Sequence, residues 1–200
     1  MKRHLPVFID QTLTRVRVAQ QDFSESFSED MGDYTCKKGC SHCCSHPLLI
    51  SFAEGAILYR SLRDNGAWGS GMVESLKTHS EVTLGLHPEV WLASEMPCPL
   101  LKASLCSAYS ARPLQCRTKF SRGDPDMCRA TTAFEAPLAN NVDLVRNFND
   151  LEHSLFRAIK GKHWLMPLST ALLIGERISE GNLKPEEAYA ALTAMYIKEN

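Results

Sequence analysis

Eight cysteines, gathered into two stretches and absent after Cys128, constrain this 200-residue chain more than any other feature. The first stretch reads Cys36-Lys37-Lys38-Gly39-Cys40-Ser41-His42-Cys43-Cys44. The second holds Cys98, Cys106, Cys116 and Cys128. Short spacings let several sulfurs converge with little loop entropy to lose. Gly39 frees the backbone to turn tightly ahead of Cys40. Cys43 and Cys44 are neighbours, so their side chains need different directions. They fit different metals of a polynuclear centre, or leave one sulfur spare, more easily than they share one ion. The second stretch has no Cys-x-x-Cys and is no zinc ribbon. Its ligands are well separated, held by prolines, and placed to close over the first stretch.

The compartment decides what such thiols are for. In an oxidising space an even count suggests disulfides, whereas in a reducing cytosol it points to metal or catalysis. The N-terminal Met1-Lys2-Arg3 is basic, but its apolar run stops after Ile9, short of a signal-peptide core. The chain is also long enough to fold without covalent staples. A cytoplasmic protein with thiolate ligands is the expectation. Thiolates select zinc, Cu(I) and iron–sulfur clusters. The eight sulfurs would close two zinc sites of four thiolates each, or one [4Fe–4S] cluster with sulfurs left over. The adjacent pair and the scattered second set lean towards iron–sulfur, with Zn2+ the alternative.

Such a centre is an anion, and a partly buried anion needs cations or amide dipoles facing it. Arg112, Arg117, Lys119, Arg122 and Arg129 surround Cys116 and Cys128, and Lys37 and Lys38 sit inside the first stretch. Arg112 and Arg117 are the expected outer partners of the centre, against the plainer reading of a solvated basic loop. Tyr109 is expected to pack against the site and hydrogen-bond through its hydroxyl. His42 and His46 flank the first stretch. With eight sulfurs present, a surface or hydrogen-bonding role suits them better than ligation. His79, His87, His153 and His163 have no ligand-like spacing. Asp124-Pro125-Asp126 reads as a turn.

The rest of the chain reads as helix. Ile9, Leu13, Val16, Phe23 and Phe27 mark an amphipathic stretch over residues 7–28, with Gln20 in its one polar slot. Ser51 and Glu54 form a capping box ahead of Ala56–Tyr59 and Leu62, and Asn65-Gly66 stops that helix. A Gly69-Ser70-Gly71 turn precedes a short helix through Met72, Val73 and Leu76. Leu138 to Ile159 predicts a long helix stopped by Gly161, and Leu168 to Ile178 another closed by Gly181. Pro185, Glu186 and Glu187 open a last one with Ala188, Leu192, Met195 and Tyr196 on its apolar face. No period-2 strands or βαβ alternation occur. The expectation is a mainly α fold whose cysteine-rich loops, 29–50 and 95–137, form a metal site. Residues 1–137 would be the cysteine-cluster part with its N-terminal helix, and 138–200 C-terminal helices packing on it as one domain overall. A net charge of −1 gives no case for nucleic acid, and no apolar run suits a membrane span.

The pattern Cys36-x3-Cys40-x2-Cys43-Cys44, Cys98-Pro-x-Leu and Cys106-Ser-x-Tyr109-x2-Arg112-Pro113-x2-Cys116-Arg117 resembles the CxxCxxCC cysteine-cluster proteins, also called YkgJ-like. The first gap here is three residues, where the family name implies two. The resemblance covers residues 36–128 and implies chelation of zinc or iron without a settled reaction. A similar region occurs in flagellin lysine N-methylases, which keeps a cluster-dependent, methyltransferase-like enzyme open beside a metal chaperone or store. The run Cys36-x3-Cys40-x2-Cys43 also matches the spacing of radical S-adenosylmethionine enzymes, but the missing βα alternation and glycine-rich run argue against that fold. Partners expected are the metal ion or cluster, and a protein or second copy through the C-terminal helices.

Overall fold

The computed structural model of the chain describes residues 7–28, 39–117 and 164–188, with further helical positions at 146, 149–151, 153, 190, 191 and 194. The fold is mainly helical. Six α-helices are described: α1 (Val7–Ser28), α2 (Phe52–Asp64), α3 (Ser70–Thr83), α4 (Pro88–Ala93), α5 (Leu114–Arg117) and α6 (Leu168–Ser179). Two short antiparallel ladders, not expected from the periodicity, join loops. β1 (Leu49–Ile50) pairs with β4 (Met166–Pro167), and β2 (Leu101–Lys102) pairs with β3 (Leu105–Cys106). Two residues per strand are too few to leave an alternating pattern in a sequence.

α2 is the central element. Ser51 caps it, its hydroxyl accepting from the Glu54 amide at 3.3 Å, and Gly66 ends the turn beyond it at φ +74°. Its residues from Phe52 to Tyr59 are all buried, so it is apolar on nearly every side, as suits a helix surrounded by others. α6 lies against it more closely than side chains permit. A β-carbon on Gly55 would overlap the Ala171 carbonyl, and one on Gly175 would overlap the backbone of Gly55 and Ala56. Around this crossing pack Leu58 and Leu62 of α2, Leu172, Ile174 and Ile178 of α6, Leu76 of α3, and Leu13 and Val16 of α1. Backbone bonds reinforce it, with the Leu168 amide donating to the Leu48 carbonyl at 3.0 Å.

α3 is longer than the short helix expected after the glycines. It runs 14 residues with Gly69 as its N-cap, because Gly71 falls in the first turn, where glycine is tolerated. α4 was not anticipated. His87 caps it, Pro88 opens it, and it buries Trp91 against His79. The helix expected over 138–159 and the end of the last helix fall largely outside the described residues. Among the described residues, no helix is long and apolar enough to cross a membrane.

Candidate metal centre

The two cysteine stretches meet through backbone first. Cys43 and Cys44 sit on a 3-10 turn, His42–Ser45, closed by the Cys44 amide on the Ser41 carbonyl at 2.9 Å. Gly39 precedes it at φ +94°, in the left-handed region that favours glycine, although space around it is open. The Cys98 amide then donates to the Cys44 carbonyl at 2.7 Å, tying the second stretch to the first. Beyond Cys98 the β2–β3 hairpin turns at Ala103 and Ser104, both left-handed, with φ +48° and +61°. Left-handed backbone costs a non-glycine residue about 1–2 kcal/mol, so surrounding packing must hold this tip. Cys106 closes the hairpin. A 3-10 turn, Tyr109–Ala111, leads through Arg112 and Pro113 into α5, which carries Cys116.

This route brings six of the eight cysteines to the wall of one cavity of about 100 Å³: Cys40, Cys43, Cys44, Cys98, Cys106 and Cys116. Leu48, Leu58, Leu100 and Leu168 supply apolar wall, while Arg112 and Tyr109 supply its polar and aromatic side. The six are free thiols. A hydrogen bond with the Cys43 side chain, then burial, then the charges of Cys43, Cys98 and Cys116 push the Cys44 thiol far up. Burial raises Cys98 to about 12, against a backbone bond from Leu100. Burial raises Cys106 as well, partly offset by the Ala108 amide and the Arg112 charge. Burial and crowding therefore favour the protonated form of Cys44, Cys98 and Cys106. Among the described residues no three His, Cys, Asp or Glu side chains are preset around one ion, so the sulfurs share a cavity and not yet a coordination geometry. The donor set suits the thiophilic metals, zinc and iron.

Comparison with known families agrees with this chemistry. The CxxCxxCC model, described as a "putative zinc- or iron-chelating domain", matches residues 35–141, just over half of the chain. The chain belongs to the CxxCxxCC family. No match was found among curated proteins or among solved structures. The matched span of this CxxCxxCC protein begins just before Cys36 and runs past Cys128, so it includes both cysteine stretches.

The expected site residues divide as follows. Six cysteines, Arg112 and Tyr109 line the cavity. Cys36 and Cys128 lie outside the described residues, as do Lys37, Lys38, Lys119, Arg122, Arg129 and the Asp124–Asp126 turn. The guanidinium of Arg112 stacks on the Tyr109 ring, 4.0 Å from its centroid. Arg117 is used differently. It is 5% exposed, and it donates through Nε to the Arg112 carbonyl and through a terminal nitrogen to the Ser110 carbonyl, each at 2.7 Å. Burial, with Arg112 nearby, lowers it to about 10, so it stays charged at neutral pH. His46 is buried on the cavity wall, at 8% exposure.

The residues that hold the site in place were not singled out by sequence. The Glu54 carboxylate is buried and accepts from Gln20 Nε2 at 2.8 Å and from the Leu114 amide at 2.9 Å. The second bond satisfies a free amide at the start of α5, two residues from Cys116. Glu54 thus links α1, α2 and the turn bearing Cys116. Its place in the capping box gave it a sufficient local explanation, which hid this wider one. Gln20, the polar slot of α1, was the available signal.

Proposed function

We propose that this CxxCxxCC protein holds an iron–sulfur or zinc centre in the cysteine cavity, with ligands drawn from Cys40, Cys43, Cys44, Cys98, Cys106 and Cys116 and from Cys36 and Cys128 of the same stretches. One observation carries the reading: six sulfurs from two distant stretches line a single cavity. A lone tetrahedral zinc ion takes four ligands, and six around one cavity exceed that number. A [4Fe–4S] cluster also takes four thiolates, so the surplus suits either; the adjacent Cys43–Cys44 pair and the scattered second stretch favour a polynuclear centre, a [4Fe–4S] cluster first and zinc second. Arg112 and Tyr109 face it, and Arg117 fixes the loop that presents them. A thiolate centre of this kind belongs in the reducing cytoplasm.

Elemental analysis with an ultraviolet–visible spectrum on anaerobically purified full-length protein tests this. The expected sample is brown, absorbs near ~400 nm and carries about four iron per chain. A colourless sample with stoichiometric zinc selects the zinc form. Less than one equivalent of any metal overturns the proposal.

A further inference from the structure

We propose that Arg112 is the charge partner of the thiolate centre, its Nε–H donating to a cavity sulfur when the cavity is loaded, with the Tyr109 ring holding the guanidinium in place. This rests on the cavity being a metal site and assigns one of its residues a role of its own.

Several independent features point to Arg112 rather than Arg117. Arg112 is on the cavity wall, whereas the hydrogen bonds of Arg117 run to backbone carbonyls beside it. Arg112 Nε is buried and has no hydrogen-bond partner among the described residues. A buried donor without an acceptor is rare in a folded protein and calls for an explanation. A thiolate sulfur on the same cavity wall is an acceptor of the right charge. The Tyr109 face covers the guanidinium at 4.0 Å, which restrains the side chain through cation–π attraction. Arg117 grips the carbonyls of Ser110 and Arg112 itself, so the backbone carrying Arg112 is fixed as well. Among the described lining residues Arg112 bears the one permanent positive charge, against a wall otherwise rich in leucine. Among the described lining residues it is therefore the fixed charge available to offset an anionic centre.

An N–H donor lowers the energy of the sulfur lone pairs. It therefore raises the energy of sulfur-to-metal charge transfer, while the guanidinium charge offsets the negative charge of the thiolate centre and so favours retention of the metal. The test uses full-length protein titrated anaerobically with Co(II), comparing wild type, Arg112→Lys and Arg112→Gln. Arg112→Gln is expected to bind Co(II) about 10- to 100-fold more weakly, the range seen when outer partners of metal ligands are removed. Its sulfur-to-cobalt band should move to lower energy. Arg112→Lys, which keeps the charge but has no donor at Nε, should recover much of the affinity without restoring the band. Metal-free melting temperatures should match across the three proteins. Wild-type affinity and an unshifted band in Arg112→Gln overturn the assignment, as does an affinity loss that tracks a lower metal-free melting temperature. If wild type takes up no Co(II) and shows no band, the metal-site reading fails first and the role of Arg112 falls with it.

Discussion

At the α2–α6 crossing two backbones touch, Gly55 against Ala171 and Gly175 against Ala56. At the cavity, six thiols hang from a 3-10 turn, a hairpin and the four-residue α5, joined by single backbone bonds such as Cys98 to Cys44. The crossing leaves no room for change and needs no ligand. The cavity has about 100 Å³ of space, and burial and neighbouring thiols raise Cys44 and Cys98. The two are continuous, since Leu58 of α2 and Leu168 of α6 form part of the cavity wall. The contrast is between close packing and open space that share a border: helices supply a rigid back wall, and loops bring the thiols to it.

The hardest blow to this contrast is Gly175→Val. Overpacking at a backbone contact should cost more than about 3 kcal/mol, read by urea unfolding of the metal-free chain. A cost below about 1 kcal/mol would show a looser crossing and remove the distinction. A smaller effect is expected from Glu54→Ala, which touches both regions. It deletes the acceptor of a buried hydrogen bond from Gln20 and a part-buried one from Leu114, and should cost about 2–3 kcal/mol. Because α5 carries Cys116, metal retention should fall with it. Unchanged retention would mean that the Cys116 turn is positioned without Glu54.

The smallest effect concerns pH and the scaffold alone. His79 is buried between α3 and α6, its Nδ1 3.1 Å from the Ser169 hydroxyl, and burial holds its pKa below the ordinary 6.5. The unfolded chain therefore binds the proton more readily. The contribution is complete above the unfolded value and is lost as pH falls from there towards the lowered folded value. One such group gives a slope of at most about 1.4 kcal/mol per pH unit. Difference unfolding curves of wild type and His79→Gln between neutral and mildly acidic pH should show that slope only in the wild type.

Legibility followed the same border. α1, α2 and α6 were readable because apolar residues at helical spacing and end signals such as Ser51, Gly66 and Gly181 act within one turn. Clustering brought out the cysteines, the need for nearby cations brought out Arg112, and the family pattern brought out Tyr109. What sequence could not show was anything set by contact between distant segments. The Glu54–Leu114 bond spans 60 residues, and the β1–β4 ladder pairs Ile50 with Met166. α4 escaped notice because six residues carry too little periodicity, although His87-Pro88-Glu89 was a start signal.

The proposed centre requires the two cysteine stretches to act together. The most direct test is thiol alkylation with mass-spectrometric mapping on anaerobically isolated, metal-bearing protein, before and after a chelator. Protection of cysteines from both stretches, including Cys43 or Cys44 together with Cys98 and Cys116, and their joint release by the chelator, is the predicted result. Protection confined to one stretch, with the other alkylated at the rate of free thiols, would contradict it.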